Sequence, residues 1–449
     1  MIHKYKQGDF NIVLDINSGA IHVMDDDAYD IFCVFAESPE KMNSLFAKYG
    51  EKQVKDILIE IIDLIDSKRL LSNDEIPEEL KQQINSPFKA MCLNVSNACQ
   101  LRCRYCFAAK NFNSKDKLMS DSIARKSIDY LVSESGNRKN LEVDFFGGEP
   151  LTNFEVIKNT IEYARSIEKK YNKNFRFTIT TNGIALDDEK IDFINREIFS
   201  VILSLDGRRS VNDLMRVDVT GSGYYEDIVP KFQKIIKNRK NYYIRGTFTK
   251  ENLDFCKDVL SIYELGFNNI SIEPVVIDEN FELSIKHSDL KKIFEEYEKL
   301  ANKIIDLKKN GSNINFFHFK IDFENGPCII KRIKGCGCGN EYFAVDPSGD
   351  AYPCHQFIGV KKFKLGNIDN PSSIQNKFHS KFKQEFSKPN IYSTKKCNEC
   401  WAKFYCCGGC AANNWKFNND IKEPYEIFCE LEKKRVECAI MIKCALNSV

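Results

Sequence analysis

The sequence predicts an α/β protein in which a central parallel sheet lies between a small N-terminal unit and a cysteine-rich C-terminal region. From Phe88 to about Gly311, strand-like and helix-like stretches alternate six times. Such alternation is typical of parallel strands joined by right-handed crossovers. From Cys328 onward the chain is irregular and rich in cysteine. Its 449 residues also exceed what one hydrophobic core supports, so we expect about three domains.

The N-terminal unit is predicted to mix strands and helices. Two β-rich runs, Phe10–Leu14 and Ala20–Met24, flank a stretch of turn composition. Aspartates 25–27 suit the start of a helix that runs through Phe35. A second helix places Val54, Ile57, Leu58, Ile61, Ile62 and Ile65 on one stripe. The stretch that follows, Ser72 to Pro87, is polar and acidic, which indicates a linker.

The central part is predicted to be a partial barrel of six strand–helix units. Its strands are expected at residues 89–95, 142–146, 175–181, 200–205, 243–249 and 268–276, with a helix over 288–309 after the last. In such folds the carboxyl ends of the strands hold the chemistry. The expected division of the chain is 1–75 for the N-terminal unit, 76–87 for the linker, 88–311 for the barrel and 312–449 for the C-terminal region.

Charge and hydropathy exclude several classes of protein. The 65 basic and 64 acidic residues nearly cancel, which gives little electrostatic support for a nucleic-acid partner. The N-terminus lacks the apolar core of a signal peptide, and no run approaches the ~18 apolar residues of a membrane span. We therefore expect a cytoplasmic protein. Since the cytosol keeps thiols reduced, its 18 cysteines suggest metal ligation rather than disulfides.

Three cysteines after the first barrel strand form the main motif. Cys99, Cys103 and Cys106 have C-x3-C-x2-C spacing and follow the apolar run Met91–Val95. Three thiolates at this spacing can hold three corners of an iron–sulfur cube and leave the fourth iron open to a small molecule. Zinc is an alternative, although its structural sites usually take four ligands. A second alternative is that the three cysteines are buried and only structural.

This motif, with Tyr105 before its last cysteine, resembles the signature of the radical S-adenosylmethionine (SAM) superfamily. The resemblance implies a [4Fe–4S] cluster on the three cysteines, with SAM bound to its open iron. It also implies a set of SAM contacts at the ends of later strands, where ordinary turn residues or a surface arginine are the alternatives. The expected cofactor-binding residues are Tyr105, Gly147, Gly148, Glu149, Asn182, Ser204, Asp206 and Arg216, and Glu273–Val275 is expected beside the adenine.

The C-terminal cysteines are similar to the SPASM pattern, which implies two auxiliary [4Fe–4S] clusters and three in the whole chain. The resemblance assigns the distal cluster to Cys397, Cys400, Cys406 and Cys429. It assigns the nearer cluster to Cys354 and Cys410, together with Cys336, Cys338 or both, and Cys328 is a further candidate. Two zinc sites are the alternative, because C-x2-C is also a zinc half-site.

The N-terminal unit resembles the PqqD-like peptide-recognition domain, in the run Ile12–Asp15 followed by Gly19–Val23. Such domains hold a leader peptide as an extra strand at a sheet edge. The resemblance implies a winged-helix-like fold and a precursor peptide as partner. An ordinary winged helix or a dimerisation unit is the alternative.

The three parts together resemble peptide-modifying radical SAM maturases. The stretch Tyr352–Gly359 is most similar to the thioether-forming maturases of six-cysteine clostridial peptides. The resemblance implies crosslinks from a cysteine sulfur to a carbon in a cysteine-rich precursor, and an external electron donor of the flavodoxin or ferredoxin type. We assign no acid–base catalyst. Alternatives are formylglycine formation, a carbon–carbon crosslink, or a non-catalytic iron–sulfur or zinc protein that binds peptides.

Overall fold

The computed structural model describes residues 1–82, 86–108, 117–323, 329–377, 383–388 and 391–447. The strands of these residues are β1 (Ile2–Gln7), β2 (Phe10–Asp15), β3 (Ile21–Met24), β4 (Ala90–Ser96), β5 (Asn140–Gly147), β6 (Asn174–Thr181), β7 (Ser200–Ser204), β8 (Tyr242–Phe248), β9 (Asn269–Pro274), β10 (Asn315–Phe316), β11 (Tyr342–Val345), β12 (Asp350–Tyr352) and β13 (Gly366–Asn367).

The α-helices are α1 (Asp26–Glu37), α2 (Met42–Tyr49), α3 (Glu51–Asp66), α4 (Glu78–Gln82), α5 (Asp121–Glu134), α6 (Phe154–Tyr171), α7 (Asp188–Glu197), α8 (Arg209–Met215), α9 (Tyr225–Ile236), α10 (Phe255–Glu264), α11 (Leu290–Lys309), α12 (Ile329–Lys334), α13 (Pro371–Lys377), α14 (Lys383–Ser387), α15 (Lys395–Asn398), α16 (Lys403–Cys406), α17 (Ala411–Asn418) and α18 (Glu426–Asn447). Among these described helices, none is long and apolar enough to cross a membrane.

The central sheet has the parallel order that the alternating pattern predicts. Strands β4 to β9 lie side by side in chain order, and each pairs in parallel with the next. The six predicted strands are confirmed, and no predicted end differs from the observed one by more than two residues. Their inward apolar side chains are almost completely buried. This is the α/β barrel-like sheet expected from the sequence.

The sheet continues beyond the six predicted strands into the C-terminal region. Strand β10 pairs in parallel with β9 at one edge, and β11 pairs in parallel with β4 at the other. Strands β12 and β13 then extend this second edge in antiparallel fashion. Glu341, just before β11, accepts hydrogen bonds from Lys89 at 2.7 Å and Arg138 at 2.8 Å. The barrel and the cysteine-rich region therefore share one sheet across the predicted boundary at residue 311.

The N-terminal unit is a three-stranded antiparallel sheet with helices α1 to α3. Its two predicted strands and two predicted helices are confirmed. The sequence analysis missed β1 and α2, since β1 is mostly polar. The sheet packs through Ile12 and Leu14 against Val436 and Ile440 of the long helix α18. This packing attaches the N-terminal unit to the C-terminal region.

The predicted linker is partly structured. It contains helix α4, and Ile76 and Leu80 pack against the apolar side chains between the N-terminal unit and α18. Just before residue 76, the expected start of the linker, Asp74 accepts a hydrogen bond from Tyr392 at 2.8 Å. The start of the linker therefore lies on the C-terminal region, because its few apolar side chains find partners there.

We expect Arg208→Ala to lower the free energy of unfolding by about 2–3 kcal/mol. The guanidinium donates to Asp258 and Asp254, each at 2.7 Å, and the Asp258 side chain is fully buried. Removing the cation leaves this carboxylate buried without its charge partner. The control is Arg209→Ala, because Arg209 forms exposed ion pairs and its loss should cost about 0.5 kcal/mol or less. Equal losses in urea unfolding would contradict the expectation.

Candidate active-site cavity

A cavity of about 540 Å³ opens at the carboxyl ends of the barrel strands. The cavity lies where parallel strands of an α/β fold usually place their chemistry. It brings together ten of the eleven barrel residues that the sequence analysis singled out as cluster or SAM ligands. These lining residues are Cys99, Cys103, Tyr105, Cys106, Gly147, Gly148, Glu149, Asn182, Ser204 and Arg216. Glu273, Pro274 and Val275 also line it.

The loop that carries the three motif cysteines is held by backbone hydrogen bonds. The Arg102 N–H donates to the Val217 carbonyl at 2.6 Å, and the Arg104 N–H donates to the Met215 carbonyl at 2.9 Å. Within the loop, the Cys106 N–H donates to the Cys103 carbonyl at 3.0 Å. The loop is therefore anchored to the end of α8, and its thiols are directed into one cavity.

The three thiols line one cavity, where two of them are shielded from water. Burial raises the pKa of Cys99 to about 11 and that of Cys103 to about 12. The Asn182 amide donates to the Cys99 sulfur at 3.6 Å, as such groups do to metal-bound thiolates. A metal centre would displace the protons and leave thiolates beside these donors. Three soft sulfur ligands in one cavity fit an iron–sulfur cluster with an open site.

Gly147 and Gly148 are required because two loops touch at the backbone. A Cβ atom on Gly147 would lie 2.1 Å from the Ser96 carbonyl oxygen, and one on Gly148 would lie 2.5 Å from that of Ala98. The Gly148 and Glu149 N–H groups donate to these carbonyls at 2.7 and 2.8 Å. The glycines thus bring the cysteine loop and the end of β5 together, in addition to any contact with a ligand.

Glu149 is held rigidly at the cavity wall. Its carboxylate accepts hydrogen bonds from the Thr181 hydroxyl at 2.8 Å, the Asn182 N–H at 2.8 Å and the Leu151 N–H at 3.1 Å. Burial nevertheless raises the pKa of Glu149 to about 7. A cationic group placed against it would favour the ionised form.

Asp206 does not line the cavity but organises residues that do. It is fully buried, and it accepts hydrogen bonds from Tyr105 at 2.6 Å, Arg216 at 3.0 Å and the Thr247 N–H at 3.0 Å. Burial and the charge of Asp206 together keep the Tyr105 phenol protonated by raising its pKa. Arg216 is only 11% exposed and is paired with Asp206, so the alternative of an exposed surface arginine is wrong.

The four cysteines predicted for the distal auxiliary cluster lie around a second cavity, of about 220 Å³. This cavity is lined by Cys397, Cys400, Cys406 and Cys429, with Trp401 and Lys433 among its other residues. Burial raises the pKa of Cys406 and Cys429. Across the described residues, no three His, Cys, Asp or Glu side chains are close enough to share a single metal ion.

The cysteines predicted for the nearer auxiliary cluster also lie close together. A hydrogen bond from the Cys338 thiol lowers the pKa of Cys354 and raises that of Cys338 itself. Negative charge on Cys354 also raises the pKa of Cys410, after the larger effect of burial. Cys336, which is exposed, lines a small cleft together with Cys338. Both Cys336 and Cys338 thus accompany Cys354 and Cys410. Cys328 lies outside the described residues.

Several residues of the main cavity were missed by the sequence analysis. Asp144 and Phe146 point inward from β5, and burial raises the pKa of Asp144 to about 7. His355 follows Cys354 and packs on Phe146 with 4.9 Å between the ring centres. Burial lowers the pKa of His355 to about 4, so its imidazole is neutral. A charged residue within an otherwise apolar strand was the available signal for Asp144 and for Arg245 on β8.

Comparison with known families and proteins agrees with this geometry. The model of the Radical SAM superfamily matches residues 93–261, and that of SPASM, an iron–sulfur cluster-binding domain, matches residues 336–401. The cysteine-type anaerobic sulfatase-maturating enzyme of Clostridium perfringens is 24% identical over 374 residues, which are 79% of this chain and 96% of that enzyme.

Two solved structures share the fold. Native anSMEcpe with bound AdoMet and Kp18Cys peptide has a TM-score of 0.67 at 22% identity, over 80% of this chain and 100% of that one. Streptococcus suis SuiB bound to precursor peptide SuiA has a TM-score of 0.53 at 16% identity, over 94% of this chain and 97% of that one.

We expect Gly148→Ala to lower the free energy of unfolding by about 1–3 kcal/mol, because the added methyl group overlaps the Ala98 carbonyl. The cysteine loop would also shift, so less iron should be retained after anaerobic reconstitution. Gly311→Ala is the control for iron content, since nothing lies within 4 Å of its added Cβ; its φ of +82° makes this substitution destabilising as well, but far from the cysteine loop. Iron content that falls equally in both variants would contradict a local effect on the cysteine loop.

Proposed function

Because the chain combines a radical SAM domain with a SPASM domain, we propose that it is an enzyme that forms thioether crosslinks in a cysteine-rich precursor peptide. One observation carries the proposal. The cavity that contains the three motif cysteines is closed on another side by Tyr342, His355 and Gln356, which belong to the auxiliary-cysteine region. A peptide in this cavity would touch both parts of the protein at once.

In this proposal Cys99, Cys103 and Cys106 hold the SAM-binding [4Fe–4S] cluster. A bound cluster and SAM would supply a 5′-deoxyadenosyl radical, which removes a hydrogen atom from an unactivated carbon. Glu149 provides a buried carboxylate for the amino group of SAM, and Asn182 and Ser204 provide polar side chains beside it. Tyr105, Asp206 and Arg216 position this wall through their hydrogen bonds to one another.

The auxiliary sites complete a proposed total of three [4Fe–4S] clusters. The cavity around Cys397, Cys400, Cys406 and Cys429 supports the distal site. The nearer site is supported by the Gln356 amide, which donates to the Cys410 sulfur at 3.7 Å while it also lines the main cavity. The Gln356 side chain would therefore lie between Cys410 and a peptide bound in the main cavity.

Each crosslink removes two hydrogen atoms from the peptide. One is taken from carbon, and the other leaves the cysteine thiol as a proton when sulfur bonds to that carbon. An external electron donor of the flavodoxin or ferredoxin type would supply the electron that splits SAM, and the electron released when the carbon–sulfur bond forms would leave through the C-terminal region. The residues of the cavity serve mainly to position the peptide and to exclude water, because a carbon radical reacts with whatever lies nearest.

The N-terminal unit is proposed to bind the leader of the precursor as a PqqD-like domain. Among the described strands β3 pairs with β2 alone, so its outer edge can accept another strand. Val23 on β3 is 51% exposed, and Ile59 and Ile62 on α3 are 57% and 48% exposed. His22 on β3 contacts the Arg69 carbonyl at 2.9 Å, so the end of α3 lies beside this edge. Exposed apolar groups beside a free strand edge suit a peptide partner.

Formylglycine formation is the second candidate, favoured by the similarity to a sulfatase-maturating enzyme. Its product differs from a thioether in composition, because a cysteine converted to formylglycine loses its sulfur. The N-terminal unit favours the first candidate, since a sulfatase substrate needs no leader. Mass spectrometry of the peptide product distinguishes the two activities.

Co-expression with a cysteine-rich precursor encoded beside this gene should yield a peptide lighter by two hydrogens per crosslink. The linked thiols should resist alkylation, as mass spectrometry would show. Cys103→Ala should abolish the product and lower the iron content, whereas Cys33→Ala, in the N-terminal unit, should not. A peptide that keeps every free thiol would refute the thioether, and loss of sulfur would establish the second candidate.

Val23→Glu should weaken binding of a fluorescent synthetic leader by about tenfold. The carboxylate would project from the exposed face of β3, next to the side chains of the added strand. Val219→Glu is the control, because Val219 is 77% exposed on a loop of the barrel. If fluorescence anisotropy shows that Val23→Glu binds the leader with unchanged affinity, binding at this edge is contradicted. That result would not contradict the proposed crosslinking reaction.

A further inference from the structure

Arg245 is a cation of the cavity that the proposed SAM contacts do not use. It lies on β8, where Tyr243, Arg245 and Thr247 alternate with the buried residues of the strand. Arg245 and Thr247 line the main cavity. The Arg245 side chain is 56% exposed, although the strand lies within the sheet, with β7 and β9 on its two sides. Its guanidinium is therefore accessible from the cavity.

The contacts of Arg245 with the protein leave its donors available. Glu273 Oε1 lies 3.7 Å from its Nη2, beyond a normal hydrogen bond. Glu273 also lies 3.7 Å from Arg435 and 3.5 Å from His318, so its charge is shared. Within the described residues, no group accepts a hydrogen bond from the Arg245 guanidinium. A guanidinium has five N–H donors in a planar fork that matches a carboxylate.

The other two arginines of the cavity are already engaged. Arg216 donates to the buried Asp206 at 3.0 Å. Arg102 donates to the carbonyls of Cys99 and Leu101 at 2.6 and 2.8 Å. Arg245 differs from both because its nearest carboxylate is outside hydrogen-bond distance.

The surroundings of Arg245 suit an anion with two oxygens. In the sheet it is level with Ser204 on β7 and Ser271 on β9, and Ser204 also lines the cavity. A hydroxyl beside an open guanidinium is a typical carboxylate site.

We propose that Arg245 binds a carboxylate of a molecule held in the barrel cavity. The carboxylate belongs either to SAM or to an acidic residue of the peptide. The second source rests on the proposed function, whereas the first requires only a SAM-binding cavity. Arg245 thus selects a ligand by its charge, and it is a separate determinant from the Arg216–Asp206 pair.

Binding affinities of the anaerobically reconstituted protein test this proposal. The probes are SAM, decarboxylated SAM, and two short synthetic cysteine peptides that differ only by aspartate or asparagine. Arg245→Gln removes the charge, and Arg245→Lys keeps it. Arg176→Gln is the matched control, since Arg176 lies on the parallel strand β6, is stacked over Phe199 and does not line the cavity.

If SAM supplies the carboxylate, Arg245→Gln should weaken SAM binding by about tenfold or more and leave decarboxylated SAM unaffected. If the peptide supplies it, the preference for aspartate over asparagine should disappear while SAM binding stays unchanged. Arg245→Lys should retain part of either effect. If Arg245→Gln changes no affinity more than Arg176→Gln does, the proposal is overturned. These measurements do not depend on whether the peptide is later crosslinked.

Discussion

The parallel pairing of β4 with β11 determines the arrangement of the whole molecule. Strand β4 leads directly into the cysteine loop, and β11 and β12 lead into Cys354. Their register places Tyr342 beside Ala90 and Val345 beside Leu93. The motif cysteines follow the carboxyl end of β4, whereas β12 runs antiparallel to β11, so Cys354 follows it at the level of the amino end of β4. His355 and Gln356 line the main cavity from that side.

Buried charge is the main cost of this cavity, and hydrogen bonds offset it. Glu149 accepts three hydrogen bonds and Asp206 accepts three, as buried carboxylates must to remain in an apolar interior. The pKa of Glu149 is raised to about 7 even so. Arg245 is the exception, since it lines the cavity and, among the described residues, no acceptor lies within hydrogen-bond distance of its guanidinium. We propose a ligand as its partner.

The N-terminal unit and the distal cysteines are joined on the other side of the C-terminal region. His3 stacks on Trp401 with 3.7 Å between the ring centres, and it contacts Glu437 at 3.0 Å. Trp401 lines the distal cavity beside Cys400. The same sheet presents its free edge at β3. The surface proposed for the leader and the proposed distal cluster thus belong to one packed unit, held by apolar contacts between β2 and α18.

Six parallel strands and most of the cavity lining could be predicted from the sequence. Strand periodicity and cysteine spacing are local properties of the sequence, so they can be recognised without knowledge of tertiary contacts. The complete fold was needed to show that Asp206 lies behind the cavity wall, that both Cys336 and Cys338 lie near Cys354, and that Arg245 lines the cavity. These facts depend on which distant segments pair: Lys89 and Glu341, for example, are 252 residues apart. No local pattern encodes such a pairing, because it results from burial and hydrogen bonding in the complete sheet.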